Sequence, residues 1–398
     1  MAGIETIRLV VATAIRVGVT GHGKVYKLKK ALYRLKQAPW AWNRRIDCFL
    51  LQLDFNKCTT EYEVYVRATA DDLMFACLYV DDLLVIRSNT TSIDEFKRRI
   101  MLEFEMIVLG LLSYFLGMEF VTTSEGIFMH QKRYATEVLK RLHMLDCNSA
   151  QTPVDCGIKL EKNKSDRSID ATLYKQIVGS LRFLCRIRPN IAYGVGLISR
   201  FMNHLRLSHL LSAKRILRYM KGTLDYGLLF SKHGRSVSDE IHGYRDFDQC
   251  GDKKVTSTIG YVFIMCGAPI SLCSKKQLVV ALSPCEAEYV AASMGACQAL
   301  WLENVMTEMK IRREEPMKIL IDNKSAISLA KHFIAHGRSK HIGTKFHFLR
   351  DQVSKGKLEL KHCSTNKQVA DILTKPLKGN QFKMARDRIG VQPITNLN

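Results

Sequence analysis

The spacing of apolar residues changes along this chain, and the change predicts regions built from different elements. Residues 1 to about 145 mix short strand-like and helix-like stretches. Between residues 171 and 224, apolar side chains recur every three or four positions, which predicts helices. After a polar break at residues 233–239 the spacing becomes two, which predicts strands at residues 241–246, Thr258–Met265 and 269–273.

A long helical pattern follows at residues 286–309, and the elements after it alternate between strands and helices. Strands are predicted at Met317–Ile321 and Leu358–His362, and helices at residues 325–330, 344–354 and 367–374. This order predicts one sheet with helices packed against it. We therefore expect a multidomain chain of α/β and α+β architecture.

Shifts in composition predict four consecutive segments in the 398 residues. The first segment is residues 1–145. The second is residues 146–232, in which a polar linker at residues 146–170 precedes a helical connection. The predicted sheet occupies residues 240–377, and residues 378–398 are expected to form a C-terminal tail.

The charge of the chain points to a polyanionic partner. Lys and Arg number 60 against 38 Asp and Glu, a net charge of +22. Residues 16–45, 182–224 and 331–350 are rich in Lys and Arg and contain no Asp or Glu. A basic run is usually a solvated face, but aromatic residues within these stretches favour a track for a nucleic-acid backbone. The longest uncharged run, residues 255–274, contains Thr, Ser, Gly and Pro, so no membrane span is expected.

Four acids lie where the predicted strands and helices of the C-terminal region meet. Asp246 lies near the end of one strand, Glu288 at the start of the long helix, Asp322 directly after a strand, and Asp371 in the last helix. Carboxylates that converge repel one another unless cations neutralise them. Oxygen ligands select Mg²⁺ or Mn²⁺, and a pair of such ions serves phosphoryl displacement.

Each of these acids also has a purely structural explanation. Asp322 is a candidate N-cap for the next helix, and Glu288 could complement a helix dipole. Asp371 could pair on the surface with Lys367 or Lys375. The pattern alone leaves both interpretations open.

Two adjacent acids also interrupt an apolar stretch in the N-terminal half, at Asp81 and Asp82. Neighbouring aspartates in a buried hairpin are costly unless a cation binds them. The alternative is a tight turn between two strands.

Longer motifs in the C-terminal region resemble those of a known domain. The motifs are residues 279–283, 286–292, 296–302, 322–327, 336–342 and 370–377. In this order they resemble the ribonuclease H domain of copia-type retrotransposon polyproteins. The resemblance implies that Asp246, Glu288, Asp322 and Asp371 hold two Mg²⁺ or Mn²⁺ ions and that the domain cleaves the RNA strand of an RNA–DNA hybrid. We expect contacts to the hybrid backbone from residues of the basic stretches, namely Arg338, Lys340, Arg182, Lys214 and Arg215.

The N-terminal half resembles the reverse transcriptase of the same family. The motifs are residues 24–33, 35–39, 78–85, 115–119 and 177–181. The resemblance implies that Asp81 and Asp82 are metal ligands of a polymerase palm. The family's third palm carboxylate would lie between the segments that match residues 7–9 and 24–26, yet residues 10–23 contain no Asp or Glu. We therefore expect an internally deleted copy that no longer polymerises DNA.

These observations predict a retrotransposon reverse transcriptase and ribonuclease H fragment with ribonuclease H activity. The alternative is a remnant that binds nucleic acid without catalysis. Two departures from the family motifs beside the acids favour this alternative, namely Gln249-Cys250 and Pro284-Cys285. An integrase-type nuclease is a weaker third option, since such sites generally need three acids. We expect a cytoplasmic location, with the nucleus as the second candidate. The sequence determines no oligomeric state.

Overall fold

The computed structural model describes residues 38–70, 72–87, 91–158, 160, 170–231, 241–248, 258–277, 284–311, 315–331 and 343–397. The chain divides into two compact units. The described residues of the first are those up to 108 together with 303–311, and the remainder form the second. This division does not follow the boundaries predicted near residues 145 and 232, which stay a prediction. Among the described helices, none is sufficiently long and apolar to span a membrane.

The first unit is a four-stranded antiparallel sheet packed against two helices. Its helices are α1 (Ala38–Gln52) and α2 (Thr91–Glu103), and its strands, in their order in the sheet, are β1 (Asn56–Lys57), β2 (Val64–Ala68), β3 (Leu73–Tyr79) and β4 (Asp82–Arg87). Alternate residues of β3, namely Met74, Ala76 and Leu78, are buried, as the period of a strand requires. They join Ile46 of α1 and Phe96 of α2 in one apolar core.

The second unit contains an antiparallel sheet and a helical layer. The sheet strands are β5 (Tyr114–Phe115), β6 (Met118–Thr122), β7 (Gly126–His130), β8 (Tyr226–Ser231) and β14 (Val391–Pro393), in the order β14-β8-β7-β6-β5. The helices are α3 (Lys132–Arg141), α4 (Ala171–Leu184), α5 (Ala192–Ser199) and α6 (Leu207–Lys221). The predicted helical pattern is confirmed, because Ile177, Leu181, Ala213 and Leu217 are all buried in the core.

The same unit contains a second, mixed sheet. Its strands are β9 (His242–Asp248), β10 (Thr258–Met265), β11 (Ala268–Lys276), β12 (Met317–Ile321) and β13 (Leu358–His362), in the order β11-β10-β9-β12-β13. The first three strands are antiparallel, whereas β12 runs parallel to both β9 and β13. The helices are α7 (Pro284–Glu308), of which residues 284–302 belong to this unit, α8 (Lys324–Lys331), α9 (Gly343–Ser354) and two short 3-10 helices (Thr365–Lys367 and Val369–Leu373).

The predicted order of strands and helices is therefore confirmed for this sheet. One element differs from the prediction: residues 367–374 were expected to form a single helix, and they form parts of two 3-10 helices with a break at Gln368. The mixed α/β and α+β class is confirmed as well.

The segment expected to be a C-terminal tail is instead folded into the second unit. It forms α10 (Gly379–Arg388) and then β14, which pairs with β8 through Val391 and Leu228. Phe382, Ile389 and Val391 belong to the main apolar core. The sequence did not reveal this because the strand partner lies more than 150 positions earlier.

Gly390 fixes this segment to the hairpin between β10 and β11. That hairpin turns at Cys266 and Gly267, which both have positive φ, as a two-residue turn with a right-handed twist requires. Gly390 also has a positive φ of 77°, and a Cβ there would lie 2.2 Å from the Gly267 carbonyl oxygen. No side chain fits at this contact.

We expect Gly390→Ala to lower the stability of the chain by about 3 kcal/mol or more, because left-handed strain adds to a backbone clash. The matched control is Gly356→Ala, where φ is +68° and a Cβ meets nothing within 4 Å. The control should cost only about 1 kcal/mol. Thermal unfolding of both variants measures the difference, and equal losses would contradict the proposed clash.

Candidate metal centre

The parallel pairing of β9 and β12 brings two acids to one level of the sheet. Leu320 of β12 pairs with Tyr244 of β9. Asp322 and Asp246 each lie two residues beyond these partners, so they emerge on the same face at the same height. The strand register thus joins acids that are 76 positions apart in the sequence.

Helix α7 supplies the third acid. It packs through Ala287 and Ala291 against Phe247 and Ile259 of the sheet. Glu288 follows Ala287 in the first turns of this helix and is 7% exposed. One carboxylate oxygen from each of Asp246, Glu288 and Asp322 lies within 4.8 Å of the others. The predicted convergence is therefore observed for these three acids.

Asp371, the fourth acid, lies on the second 3-10 helix beside Asp246. Gln368 fixes the start of this helix, because its side-chain amide donates to the Arg245 carbonyl at 2.7 Å and its oxygen accepts from the Ala370 N–H at 3.3 Å. On β10, Gly260 pairs with Asp246, and a Cβ at Gly260 would lie 2.7 Å from Thr374. A glycine is therefore needed for the close approach of the 3-10 helix to the sheet.

Two groups at the end of this helix contact the carboxylates. The Thr374 hydroxyl donates a short hydrogen bond to Asp246. The Lys375 ammonium lies 3.1 Å from Asp371 Oδ1 and 3.6 Å from Asp246 Oδ2. The Lys375 side chain is 29% exposed, so it reaches the acids from the solvent side.

Burial and mutual repulsion raise the pKa values of the clustered acids. Burial raises the pKa of Glu288 to about 7, and the charges of Asp246 and Asp322 add to this, although the Arg245 guanidinium opposes it. Burial, followed by the charge of Asp246, raises the pKa of Asp371 to about 7. The same two causes raise the pKa of Asp322. The nearby cations, Arg245 and Lys375, therefore do not fully neutralise the four carboxylates.

The structural explanations offered for single acids fail for Asp322 and Glu288. Asn323 caps α8, since its side-chain oxygen accepts from the Ala326 N–H at 3.0 Å. Glu288 is buried against Arg245 at 2.9 Å instead of complementing a helix dipole in solvent. Asp371 does pair with Lys375, but the carboxylate is buried and the pair is not a surface contact.

The residues fit a hard divalent cation. All four ligand candidates are carboxylates, the donor type that Mg²⁺ and Mn²⁺ prefer. Their burial makes ionisation costly without a cation, and a divalent ion would remove that cost. The arrangement can therefore hold divalent metal and polarise a phosphate ester or a water molecule.

The two acids of the N-terminal half lie in a hairpin, as predicted, but they are exposed. Tyr79 and Asp82 pair at the end of β3 and β4, and Val80 at the turn has a φ of 55°. The Trp42 indole N–H donates to the Val80 carbonyl at 2.6 Å and anchors the turn on α1. Asp81 and Asp82 are both exposed. Among the described residues, no metal-binding group of three side chains includes either of them. Residues 10–23 lie outside the described part of the chain.

The candidate nucleic-acid contacts have different surroundings. Arg338 and Lys340 lie outside the described residues. Arg182 on α4 and Lys214 on α6 are exposed. Arg215 donates to the Thr152 carbonyl and pairs with Asp155 at 3.0 Å. It therefore attaches part of the predicted linker to α6, and its guanidinium forms these contacts within the protein.

Sequence reasoning missed three residues that position the acids. Gln368 and Thr374 fix the helix that carries Asp371, and Arg245 contacts Glu288. One signal was present for Arg245, because a cation directly beside an acid in an apolar strand is unusual. Nothing local distinguished Gln368 or Thr374.

Comparisons with known proteins relate the chain to reverse transcriptases and to transposon polyproteins. A family model described as reverse transcriptase (RNA-dependent DNA polymerase) matches residues 6–156. The retrovirus-related Pol polyprotein from transposon RE1 of Arabidopsis thaliana is 37% identical over 371 residues, which is 93% of this chain and 25% of the polyprotein. The retrovirus-related Pol polyprotein from transposon TNT 1-94 of Nicotiana tabacum is 34% identical over 379 residues, which is 92% of this chain and 28% of the polyprotein.

A shorter relative is matched over most of its own length. A transposon Ty5-1 protein of Saccharomyces cerevisiae is 33% identical over 272 residues, covering 68% of this chain and 88% of that protein. A solved foamy viral protease-reverse transcriptase in complex with dsDNA aligns with a TM-score of 0.45 and 12% identity, over 84% of this chain and 60% of that one.

The family model and the sequence relatives define a protein related to reverse transcriptases. The chain belongs to the Pol polyprotein family of copia-type retrotransposons, as its motifs had indicated. It spans about a quarter of the length of the plant polyproteins that it matches.

The raised pKa values predict that the metal-free chain loses stability as pH rises. Glu288 and Asp371 titrate near pH 7 when folded, but near pH 4 in an unfolded chain. Their contribution is complete below about pH 4 and is lost as pH rises through about 7. We expect the Tm in EDTA to fall between about pH 5 and 8.

Magnesium should restore the Tm at the higher pH and have little effect at the lower one, because ionised carboxylates bind it best. Thermal unfolding followed by circular dichroism measures both effects. Asp371→Asn serves as the control, since it should flatten the pH dependence. A Tm that rises with pH in EDTA would contradict the assignment.

Proposed function

We propose that the second unit is a ribonuclease H that hydrolyses the RNA strand of RNA–DNA hybrids. The observation that carries this proposal is the convergence of Asp246, Glu288 and Asp322, with Asp371 beside Asp246. The order of strands and helices around these acids supports it, as does membership in the copia-type Pol family.

The proposed cofactors are two Mg²⁺ or Mn²⁺ ions. When bound, they would lower the pKa of the attacking water and stabilise the leaving 3′ oxygen. Asp246 is central, because it lies next to Asp371 and is also grouped with Glu288 and Asp322. Thr374 orients Asp246 through its hydrogen bond. Lys375 balances the acids in the absence of metal and can swing into solvent when metal enters.

The proposed substrate is held through its backbone. Exposed Arg182 and Lys214 carry positive charge on the helical layer of the same unit. Arg338 and Lys340 are proposed as further contacts on the strength of the sequence alone. Such contacts read the shape of a hybrid and not its base sequence. The proposed location is the cytoplasm, with delivery of nucleic acid to the nucleus as the second possibility.

We further propose that the chain has lost RNA-directed DNA polymerase activity. Two exposed aspartates in a hairpin turn can hold one divalent ion weakly. They do not align a primer, two ions and a nucleotide, which needs a third carboxylate on a separate strand. The absence of any acid from residues 10–23 supports this loss.

The first test is cleavage of a labelled RNA–DNA hybrid by the full chain with magnesium. We expect cleavage that Asp322→Asn lowers by about a hundredfold or more, because it removes a metal ligand. Asp387→Asn is the matched control, since Asp387 is exposed on α10 and pairs only with its neighbour Arg386 in the contacts described. Equal cleavage by both variants would refute the assigned site.

The second test is primer extension on an RNA template. We expect no extension by the chain under conditions in which it cleaves hybrid, because residues 10–23, where the third palm carboxylate is expected, contain no acid. Extension that disappears in Asp81→Asn would show that the polymerase site is intact.

A non-catalytic, nucleic-acid-binding remnant is the second candidate function. The observation that favours it is the buried Arg245 guanidinium against Glu288, which supplies positive charge where a metal is proposed. Salt-sensitive binding of hybrid by a folded chain that never cleaves would support this alternative.

A further inference from the structure

Arg245 is a fully buried cation directly beside the proposed metal centre. Its side chain is 0% exposed, and its Nη2 donates to Glu288 Oε2 at 2.9 Å. Its Nε and Nη1 are buried without a hydrogen-bond partner among the described residues. A guanidinium in this setting is normally paired on every side. Here its ionic partner is a proposed metal ligand.

The fold prevents Arg245 from leaving this position. In a strand, successive side chains point to opposite faces, so Arg245 points away from the Asp371 side of β9 and towards α7. Its Cδ would lie 3.6 Å from a Cβ at Gly295 of α7, which is ordinary van der Waals contact, so the arginine stem packs against this helix. The nearby Ala291 and Ala292 are fully buried. Retraction into solvent would require α7 to separate from the sheet.

Lys375, the second cation of the cluster, differs from Arg245 because it is partly exposed to solvent. Its ammonium contacts Asp371 and Asp246, but its side chain is 29% exposed and ends a flexible stem. An incoming divalent ion can displace it into water at small cost. The cluster therefore contains one movable cation and one fixed cation.

The charges match a single tightly bound divalent ion. When ionised, the four carboxylates carry four negative charges, and Arg245 with Lys375 offsets two of them. Displacement of Lys375 leaves three, which exceeds the charge of one divalent ion but falls short of two. The second ion must enter beside a guanidinium that stays in place.

We propose that Arg245 is a resident cation that competes with a divalent ion at Glu288, so that the two ions bind unequally. The tighter ion binds at Asp246 and Asp371 after displacing Lys375. The weaker ion binds at Asp246, Glu288 and Asp322 against the charge of Arg245. This inference rests on the proposed ribonuclease H site, and it gives that site a built-in dependence on metal concentration.

The test counts bound Mn²⁺ by electron paramagnetic resonance during titration of the full chain, without substrate. We expect two steps in the unmodified chain. Arg245→Gln keeps a hydrogen-bond donor for Glu288 and removes the charge, so the weaker step should tighten by about tenfold or more. Arg245→Lys keeps the charge and is the matched control, in which the weaker step should stay weak.

Two equal steps in the unmodified chain would overturn the proposal. So would a weaker step that is unchanged or further weakened in Arg245→Gln, since Arg245 would then merely orient Glu288. Circular dichroism checks that each variant is folded. If Arg245→Gln does not fold, Glu288→Gln is titrated instead. This variant should abolish the weaker Mn²⁺ step and leave the dissociation constant of the tighter step within about threefold. Loss of the tighter step would refute the assignment.

The metal titration also separates this inference from the proposed function. Two unequal Mn²⁺ steps in a chain that never cleaves hybrid would support the competition and refute the ribonuclease activity. Cleavage that accompanies two equal steps would support the activity and refute the competition.

Discussion

Repulsion between buried carboxylates is the constraint on which the second unit depends. Parallel pairing of β9 with β12 places Asp246 and Asp322 at one level, and α7 and the 3-10 helix add Glu288 and Asp371. Such a cluster opposes folding when it is ionised and metal-free. The fold offsets this with cations, hydrogen-bond donors and raised pKa values.

The compensation is built from residues far apart in the sequence. Gln368 ties the 3-10 helix to the backbone of β9, and Gly260 permits its close approach. Thr374 donates to Asp246 on one face of the strand, whereas Arg245 reaches Glu288 on the other. Of the two cations that contact these acids in the described part of the chain, Arg245 is fully buried and Lys375 is 29% exposed, which is why Lys375 is proposed as the group that metal displaces.

The two acidic sites of the chain differ in completeness. The hairpin at Asp81 and Asp82 is well anchored by Trp42, yet both aspartates face solvent with no third described acid beside them. The C-terminal cluster has four acids and a shell of positioning groups. This contrast is the physical basis for proposing that the chain hydrolyses RNA and does not polymerise DNA.

The sequence by itself determined the elements and the four candidate acids. Strands at Thr258–Met265, Met317–Ile321 and Leu358–His362 have the bounds that their alternation predicted, because apolar period is a local property. Family motifs, which are also read from neighbouring residues, identified Asp246, Glu288, Asp322 and Asp371 as candidates. Only the tertiary structure decided that Asn323 and not Asp322 caps α8, that β14 completes a sheet, and that Arg245 faces Glu288. These contacts join distant segments of the chain. A local pattern indicates whether a residue favours a helix, a strand or a buried position, but it does not indicate which distant residue it contacts.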